Sequence, residues 1–523
     1  MLIHAGSNGY GCGCQAFRCS ARPAQPAKPV AQLGWAWPGG RRVGLGFLLG
    51  LAMAAGQAPV GAWWLTLPAL AGLIRLVATE DRSAGAAWLG LFGGAGYFAA
   101  SLNWIVEPFL VDAATYGWMA PFALVLMAVG GGVFWAVAAA LAPITAHRQL
   151  GFATALGGME LARGYVLTGF PWALIGHVWV DTPLTQLVAW VGPSGLTLLT
   201  CLVAAMLAGL QLRAATAALA LLGAGWGFGA WQLAQPDPVV PGITLRLVQP
   251  NVDQESKWQP DRAQANFSQL VELTTAGPLV DLTIWPETSL PYQIAEHPEL
   301  SAMIGQLGRG RPVVVGYQRF DGKRGWNALG VIAPDGRMIA KYDKHHLVPF
   351  GEYIPFGDLA YDWFGLTAFA AQVGRSFSAG DGAAVLDLGP RLGKVLPLIC
   401  YEAVFPQDLR AAPERADWIM QITNDAWFGT LTGPYQHLAQ ARLRAIEQGL
   451  PLARVANTGI TAMIDARGRI TAQLPRGEAA YLDAALPGAL SAPVYARFGE
   501  APVLLLLAGL ALFLISGRFR RAA

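Results

Sequence analysis

Residues 394–402 read Lys-Val-Leu-Pro-Leu-Ile-Cys-Tyr-Glu. The run from Val395 to Ile399 is short and apolar, as suits a buried strand. It stops at Cys400, and Tyr401 and Glu402 follow at once. A strand running into a turn is where a nucleophile can stand beside backbone N–H groups able to hold an oxyanion. Outward from this stretch, similar runs recur as ITLRLV (243–248), LTIW (282–285), PVVVGY (312–317) and WIMQI (418–422). Helical stretches at 259–275 and 434–449 intervene, and Pro334-Asp335-Gly336 and Ala466-Arg467-Gly468 read as hairpin turns. Residues 241–498 therefore read as an alternating α/β domain without internal repeats.

The chain as a whole has 523 residues, 54% hydrophobic and 13% charged, whereas soluble domains carry about a quarter charged residues. A disordered or simply soluble protein is excluded. Of 36 basic and 33 acidic side chains, only 17 precede residue 241, so two physically different halves are joined. A net charge of +3, without a basic stripe interleaved with aromatics, excludes a nucleic-acid partner. The five Cys, at 12, 14, 19, 201 and 400, form neither a disulfide framework nor a CxxC zinc pair. Nothing in the sequence signals a metal or an organic cofactor.

Crossing a hydrocarbon core of about 30 Å takes about 20 helical residues. Apolar runs of that kind fall near 43–57, 62–78, 86–104, 118–144, 150–167, 184–210 and 214–234, with an eighth near 501–517. Basic residues favour the cytoplasmic side of short loops. Arg41, Arg42, Arg82, Arg148, Arg213, Arg518, Arg520 and Arg521 fall at alternate loops, while 57–61, 105–117 and 168–183 contain no Lys or Arg. The expected organisation is a disordered leader (1–40), seven spans within 41–236, an exported domain (241–498), a last span (501–517) and a basic tail (518–523). Both termini then lie in the cytoplasm, and the exported domain is periplasmic if the cell is Gram-negative.

Cys400 is the only thiol in the exported block. An unpaired thiol in an oxidising compartment is either a small core residue or a reactive group. Glu287, after LTIW and Pro286, could serve as general base. Lys344 could lower the thiol pKa and stabilise an oxyanion. Singly, such a Glu or Lys is usually a solvated surface residue. His345 and His346, if in a strand, point to opposite faces and cannot share a metal ion, which favours a structural role. Glu160 and Arg163, at i and i+3 in the fifth span, can pair on one helix face, either as an intramembrane functional pair or as a brace for TGFPW (168–172).

WPE (285–287), KHHLVPFGEY (344–353) and CYE (400–402), in that order, resemble the Glu, Lys and Cys motifs of the nitrilase superfamily. With the preceding spans, TGFPW and QPNVDQESKW (249–258), the chain is similar to the apolipoprotein N-acyltransferases from about residue 40 onward. The Cys-containing leader departs from that pattern. The resemblance implies an α-β-β-α nitrilase-like sandwich on a polytopic helical membrane domain of about eight transmembrane helices. It also implies Cys400 as nucleophile, Glu287 as general base and Lys344 as oxyanion stabiliser. Glu352 would support the lysine and the thiol, Tyr401 and Glu402 would complete the motif after the nucleophile, and Trp258 would sit on a mobile arm.

The implied reaction moves an acyl chain from the sn-1 position of a phospholipid, through a Cys thioester, to the α-amino group of a lipoprotein's S-diacylglyceryl-cysteine. It would be carried out by a monomer in the bacterial inner membrane. Extracting a chain of roughly sixteen carbons into water costs more than about 10 kcal/mol at about 0.8 kcal/mol per CH₂. The site must therefore stay at the bilayer surface. The apolar segment 353–371, with Trp363 and Phe364, and the pair Trp427-Phe428 are expected to be lids that dip into lipid. The alternative is a membrane-tethered amidase using the same three residues with water as acceptor. A transporter would want charged or broken spans, of which Glu160 and Arg163 are nearly the only sign.

Overall fold

The computed structural model describes residues 37–236, 239–254, 257, 259–290, 294, 297–322, 324–355 and 376–522. Trp258, Trp363, Phe364 and the leader lie outside the described residues.

Two six-stranded mixed sheets build the C-terminal half. The first contains β1 (Val239–Gln249), β2 (Leu282–Ile284), β3 (Val313–Asp321), β4 (Arg324–Ile332), β5 (Met338–Asp343) and β12 (Ala480–Pro487), in the order β12-β1-β2-β3-β4-β5. The second contains β6 (Leu386–Asp387), β7 (Lys394–Ile399), β8 (Trp418–Thr423), β9 (Leu452–Ala456), β10 (Ala462–Ile464) and β11 (Ile470–Gln473), in the order β11-β10-β9-β8-β7-β6. All five expected strand runs are strands, and both expected hairpins join antiparallel pairs.

Alternation along the strands produces the layers. Leu245, Leu247 and Val314 of the first sheet share a core with Val395, Ile399, Met420, Ile422 and Val455 of the second. The opposite faces are covered by helices. Phe267, Leu270, Leu300 and Ile304 pack on Val313 and Val315, while Leu438, Ala441 and Ala445 pack on Leu396, Leu398 and Ile419. The result is an α-β-β-α sandwich. Parallel pairing of β1-β2-β3 and β7-β8-β9 brings the carboxyl ends of β2, β7 and β8 to one edge, where open α/β sheets commonly place their sites.

In the N-terminal half, helices stand at the expected positions: α1 (Gly40–Ala54), α2 (Trp63–Ala78), α3 (Ser83–Ser101), α4 (Ala120–Ala140), α5 (Arg148–Arg163), α6 (Val188–Ala208) and α7 (Leu212–Ala234). Ala501–Ala522 forms another near the C-terminus. Eight full spans, however, are not what length and composition support. Among the described residues, three stretches are long and apolar enough, Ala113–Ile144, Pro183–Ala208 and Leu212–Ala234, with a fourth if Ser83–Ser101 and Asn103–Leu110, bent by 67°, count together. The reason is geometric: α1 and α5 have 15 and 16 residues, about 22–24 Å at 1.5 Å per residue, short of a roughly 30 Å core. Small residues let α3 and α4 approach closely, since a Cβ on Gly94 would stand 2.7 Å from the Cα of Gly132.

The two halves share one core. Tyr97, Phe98, Trp104, Trp135 and Trp172 belong to the same apolar cluster as Cys400, Tyr401, Phe405 and Phe428. Glu160 and Arg163 do pair, at 2.8 Å and buried. Arg163 also donates to the carbonyls of Phe170 and Trp172, and Trp135 Nε1 donates to Glu160 at 2.8 Å. The pair therefore braces TGFPW. Trp172 in turn donates from Nε1 to Gln436 Oε1 at 2.7 Å, on the helix Gly433–Gln448, and Gln436 Nε2 donates to Ser101 O at 3.0 Å.

Candidate active site

Glu287, Lys344 and Cys400 follow the carboxyl ends of β2, β5 and β7, and all three side chains are buried. Cys400 opens a 3₁₀ turn with φ 52°, a left-handed conformation that a side chain adopts only when its surroundings enforce it. The turn is tied by Glu402. Its Oε2 accepts from Ile399 N at 2.7 Å, and its Oε1 accepts from Tyr342 Oη and His345 N, each at 2.8 Å. Glu402 thus joins the Cys400 turn to the Lys344 loop. Burial pushes its carboxyl up, but the hydrogen bond and charge of His345 outweigh this and hold it below its ordinary value.

Lys344 lies 2.8 Å from Glu352 Oε2 and 3.8 Å from Glu287 Oε1. Asn327, from β4, bridges the two carboxylates by donating from Nδ2 to Glu287 Oε1 at 2.6 Å and to Glu352 Oε1 at 3.1 Å. Val348 N donates to Glu352 Oε2 at 2.9 Å, and Asn424 N to Glu287 Oε2 at 2.8 Å. Burial works against the Lys344 charge, yet Glu352 and Glu287 prevail and hold the ammonium well above its ordinary pKa. Glu287 is pushed up by burial, against Lys344 and with the help of Glu352's charge.

Lys344 does act to lower the thiol pKa, but against a larger opposing effect. Burial, reinforced by the charge of Glu287, pushes Cys400 well above its ordinary pKa, and Lys344 only partly offsets this. A thiol of raised pKa together with a carboxylate of raised basicity is an arrangement suited to general-base activation.

The histidines also differ from the strand reading. Residues 344–348 are irregular, so both rings turn to one side. His346 Nδ1 lies 2.8 Å and His345 Nε2 3.7 Å from Asp408 Oδ2, while His345 Nδ1 contacts Glu402 at 2.8 Å. Among the described residues no three His, Cys, Asp or Glu side chains are placed to hold a metal. Both histidines, with Thr168, Leu347, Tyr353, Phe377 and Ala379, line a cleft of about 410 Å³. Tyr401 is buried edge-on to His346 and Phe405.

Of the aromatics expected in lids, Tyr353 is half-buried at the cleft and 356–375 lie outside the described residues. Phe428 is buried, with its ring 5.0 Å from Trp104 and 5.4 Å from Trp172. It belongs to the floor beneath the site, because the shared core extends under the 425–428 turn, and is not a lid. Trp427 beside it is half-buried and packed on that core.

Sequence reasoning missed Asn327, Gln421, Asn424, Asp425, His437 and Arg454. Polar residues inside otherwise apolar strands were the available signal for Asn327, Gln421 and Arg454. Lys257 was quoted only within a motif, yet its Nζ lies 3.4 Å from Glu287 O, and burial pushes it down to about 8 against the charge of Glu287.

Residues 49–206 match the apolipoprotein N-acyltransferase N-terminal domain, and residues 244–494 the carbon-nitrogen hydrolase domain. An apolipoprotein N-acyltransferase of Caulobacter vibrioides is 39% identical over 90% of this chain and 93% of its own length. One from Rhodopseudomonas palustris is 36% identical over 91% and 94%. Among solved structures, a CN-hydrolase superfamily protein from Xanthomonas campestris is 20% identical, covers 50% of this chain and 96% of its own, and has a TM-score of 0.34. With relatives this similar along nearly their whole length, the chain belongs to the apolipoprotein N-acyltransferase family.

Proposed function

We propose that this protein acylates the N-terminus of lipoproteins by a two-step exchange at Cys400. In the first step Glu287 takes the thiol proton as sulfur attacks the sn-1 ester carbonyl of a phospholipid. The C–S bond forms, the C–O bond breaks, and the proton passes to the departing lysophospholipid oxygen. In the second step the α-amino group of an S-diacylglyceryl-cysteine attacks the thioester. The C–N bond forms, the C–S bond breaks, and the amine proton returns through Glu287 to sulfur. Lys344, anchored by Glu352, faces the negative oxygen that develops in each step. Glu402 and Tyr401 shape the turn, Trp258 is assigned to an arm over the site, and Trp363, Phe364 and Trp427 are assigned to the lipid-facing segments.

The observation that carries this reading is the buried cluster in which Glu287 and Lys344 both act electrostatically on a thiol held at positive φ. It lies on a core continuous with apolar helices suited to a bilayer. We assign the chain to the bacterial inner membrane with eight helices crossing or entering it, both termini cytoplasmic, and residues 241–498 periplasmic, acting as a monomer.

The test is to incubate the full-length protein with labelled phospholipid, map acyl adducts by mass spectrometry, and then add a diacylated lipopeptide. An adduct on Cys400 that the peptide discharges as N-acyl product is expected. Absence of the adduct, or an equal one in Cys400→Ala, overturns the mechanism. Discharge to fatty acid with or without peptide marks a hydrolase instead.

A further inference from the structure

Beneath the nucleophile turn lies a buried polar network that the reaction above does not use. The carbonyl oxygen of Cys400 accepts from His437 Nε2 at 3.1 Å and from Gln421 Nε2 at 3.3 Å. A carbonyl can only accept, so the clamp requires the Nε2–H form of His437; the same Nε2 lies 3.1 Å from Gln421 Nε2. The other side of the ring is fixed as well: Nδ1 lies 2.9 Å from Asp425 Oδ1 and 3.2 Å from Arg454 Nη2. Asp425 accepts from Arg454 Nη2 at 2.5 Å and from Thr423 Oγ1 at 3.1 Å. Each of these side chains is buried to within 1% of complete.

The atom gripped is informative. Oxygen of residue 400 and the N–H of Tyr401 belong to one planar trans peptide unit and point in opposite directions. Tyr401 is in the first turn of a 3₁₀ helix beginning at Cys400, where N–H groups have no partner within the helix. Holding the oxygen from below therefore aims the N–H above. Hydrogen bonds to a carbonyl also polarise its amide and strengthen the N–H as a donor, the more so in a desolvated interior.

We propose, on the reading of Cys400 as the acylated nucleophile, that His437 and Gln421 are positioning residues for oxyanion binding. They clamp the Cys400 carbonyl, and so orient and polarise the Tyr401 N–H toward the oxyanion that forms on the acyl carbonyl. Arg454, itself paired with Asp425, locks the imidazole in place by donating to Nδ1.

The role separates experimentally from simple support of the fold, because alkylation of a thiol by iodoacetamide needs a thiolate but forms no oxyanion. In the full-length protein in detergent, His437→Ala is expected to slow single-turnover acylation of Cys400 by phospholipid about 10- to 100-fold, below the full loss of an oxyanion donor. Alkylation of the Cys400 peptide should stay within about threefold of wild type with the same pH midpoint. His437→Gln, which restores an N–H near the Nε2 position, should recover acylation to within about fivefold. Gln421→Leu should reproduce the His437→Ala signature in milder form. Parallel loss of acylation and alkylation, unchanged acylation in His437→Ala, no recovery by Gln, or failure of both His437→Ala and Gln421→Leu to accumulate as folded protein would overturn the clamp. A wild-type protein that is not acylated on Cys400 fails the nucleophile assignment itself, which is a separate result.

Discussion

Glu402→Gln is the sharpest single perturbation of the turn that carries Cys400, because it changes one oxygen to NH₂ with little change in volume. The carboxylate is fully buried and accepts from Ile399 N at 2.7 Å on one oxygen and from Tyr342 Oη and His345 N at 2.8 Å on the other. A neutral amide can keep its oxygen toward only one of these sets. In the less costly orientation its NH₂ faces Ile399 N–H, so one charge-assisted hydrogen bond, worth about 1.5–3 kcal/mol, is lost and a buried donor is left unpaired at about 1–3 kcal/mol. The bonds that remain are weakened by loss of the charge. A destabilisation of about 3–5 kcal/mol follows, or roughly 8–15 °C in the melting midpoint for a unit of some 250 residues. Tryptophan fluorescence during heating in detergent measures it. Acylation of Cys400 should fall at least about tenfold at a temperature where the variant is folded, since the same carboxylate joins the turn to the Lys344 loop. A variant with the wild-type melting midpoint and acylation rate would falsify the view that Glu402 holds the elbow.

Gly316→Ala should disturb Glu287, the proposed base, from outside its side chain: the added Cβ would stand 2.3 Å from Pro286 O and 2.8 Å from Glu287 Cα. The Glu287 turn must move, and an acylation rate reduced about tenfold or more is expected, read by the same adduct assay. Trp172→Ala should cost about 3–5 kcal/mol, and Trp172→Phe, which keeps the aromatic floor and loses the bond to Gln436, about 1–2 kcal/mol; paired thermal melts give the order. Acid should act through Asp425. Burial raises its carboxyl, but Arg454 and His437 prevail and hold it at about 2. A depressed folded-state pKa stabilises above the unfolded value, so this contribution is present above about pH 4 and is lost as pH falls toward 2. Acid unfolding followed by fluorescence should show Asp425→Asn less stable at neutral pH and losing less between pH 4 and 2.

Much of this architecture was legible because its signals are local. Five apolar runs became strands, and the ends of three elements, at Glu287, Lys344 and Cys400, carry the groups that meet in the buried cluster. What stayed hidden depends on partners distant in sequence. Arg454 sits fully buried in β9 and is tolerable only because Asp425 neutralises it; neither residue alone announces the other. Asn327 reads as an oddity in β4 until the carboxylates of Glu287 and Glu352 are brought to it. The adjacent histidines turn to one side and not to opposite faces, because a strand period does not extend into the irregular 344–348 segment. Hydropathy located the helices but not their reach, since α1 and α5 are apolar in part yet short.

The aromatic and apolar core that runs unbroken from Tyr97 and Trp135 through Trp172 to Phe428 and Cys400 also fixes where damage will be felt. Excising residues 241–498 would leave the catalytic sheets without their floor and with a greasy wound that invites aggregation. Inactivating lesions should be scattered well beyond the chemistry, into helices that hold none of Glu287, Lys344 and Cys400. A screen for loss of acyl transfer would then return substitutions around Tyr97, Trp135 and Glu160 as readily as those beside the thiol.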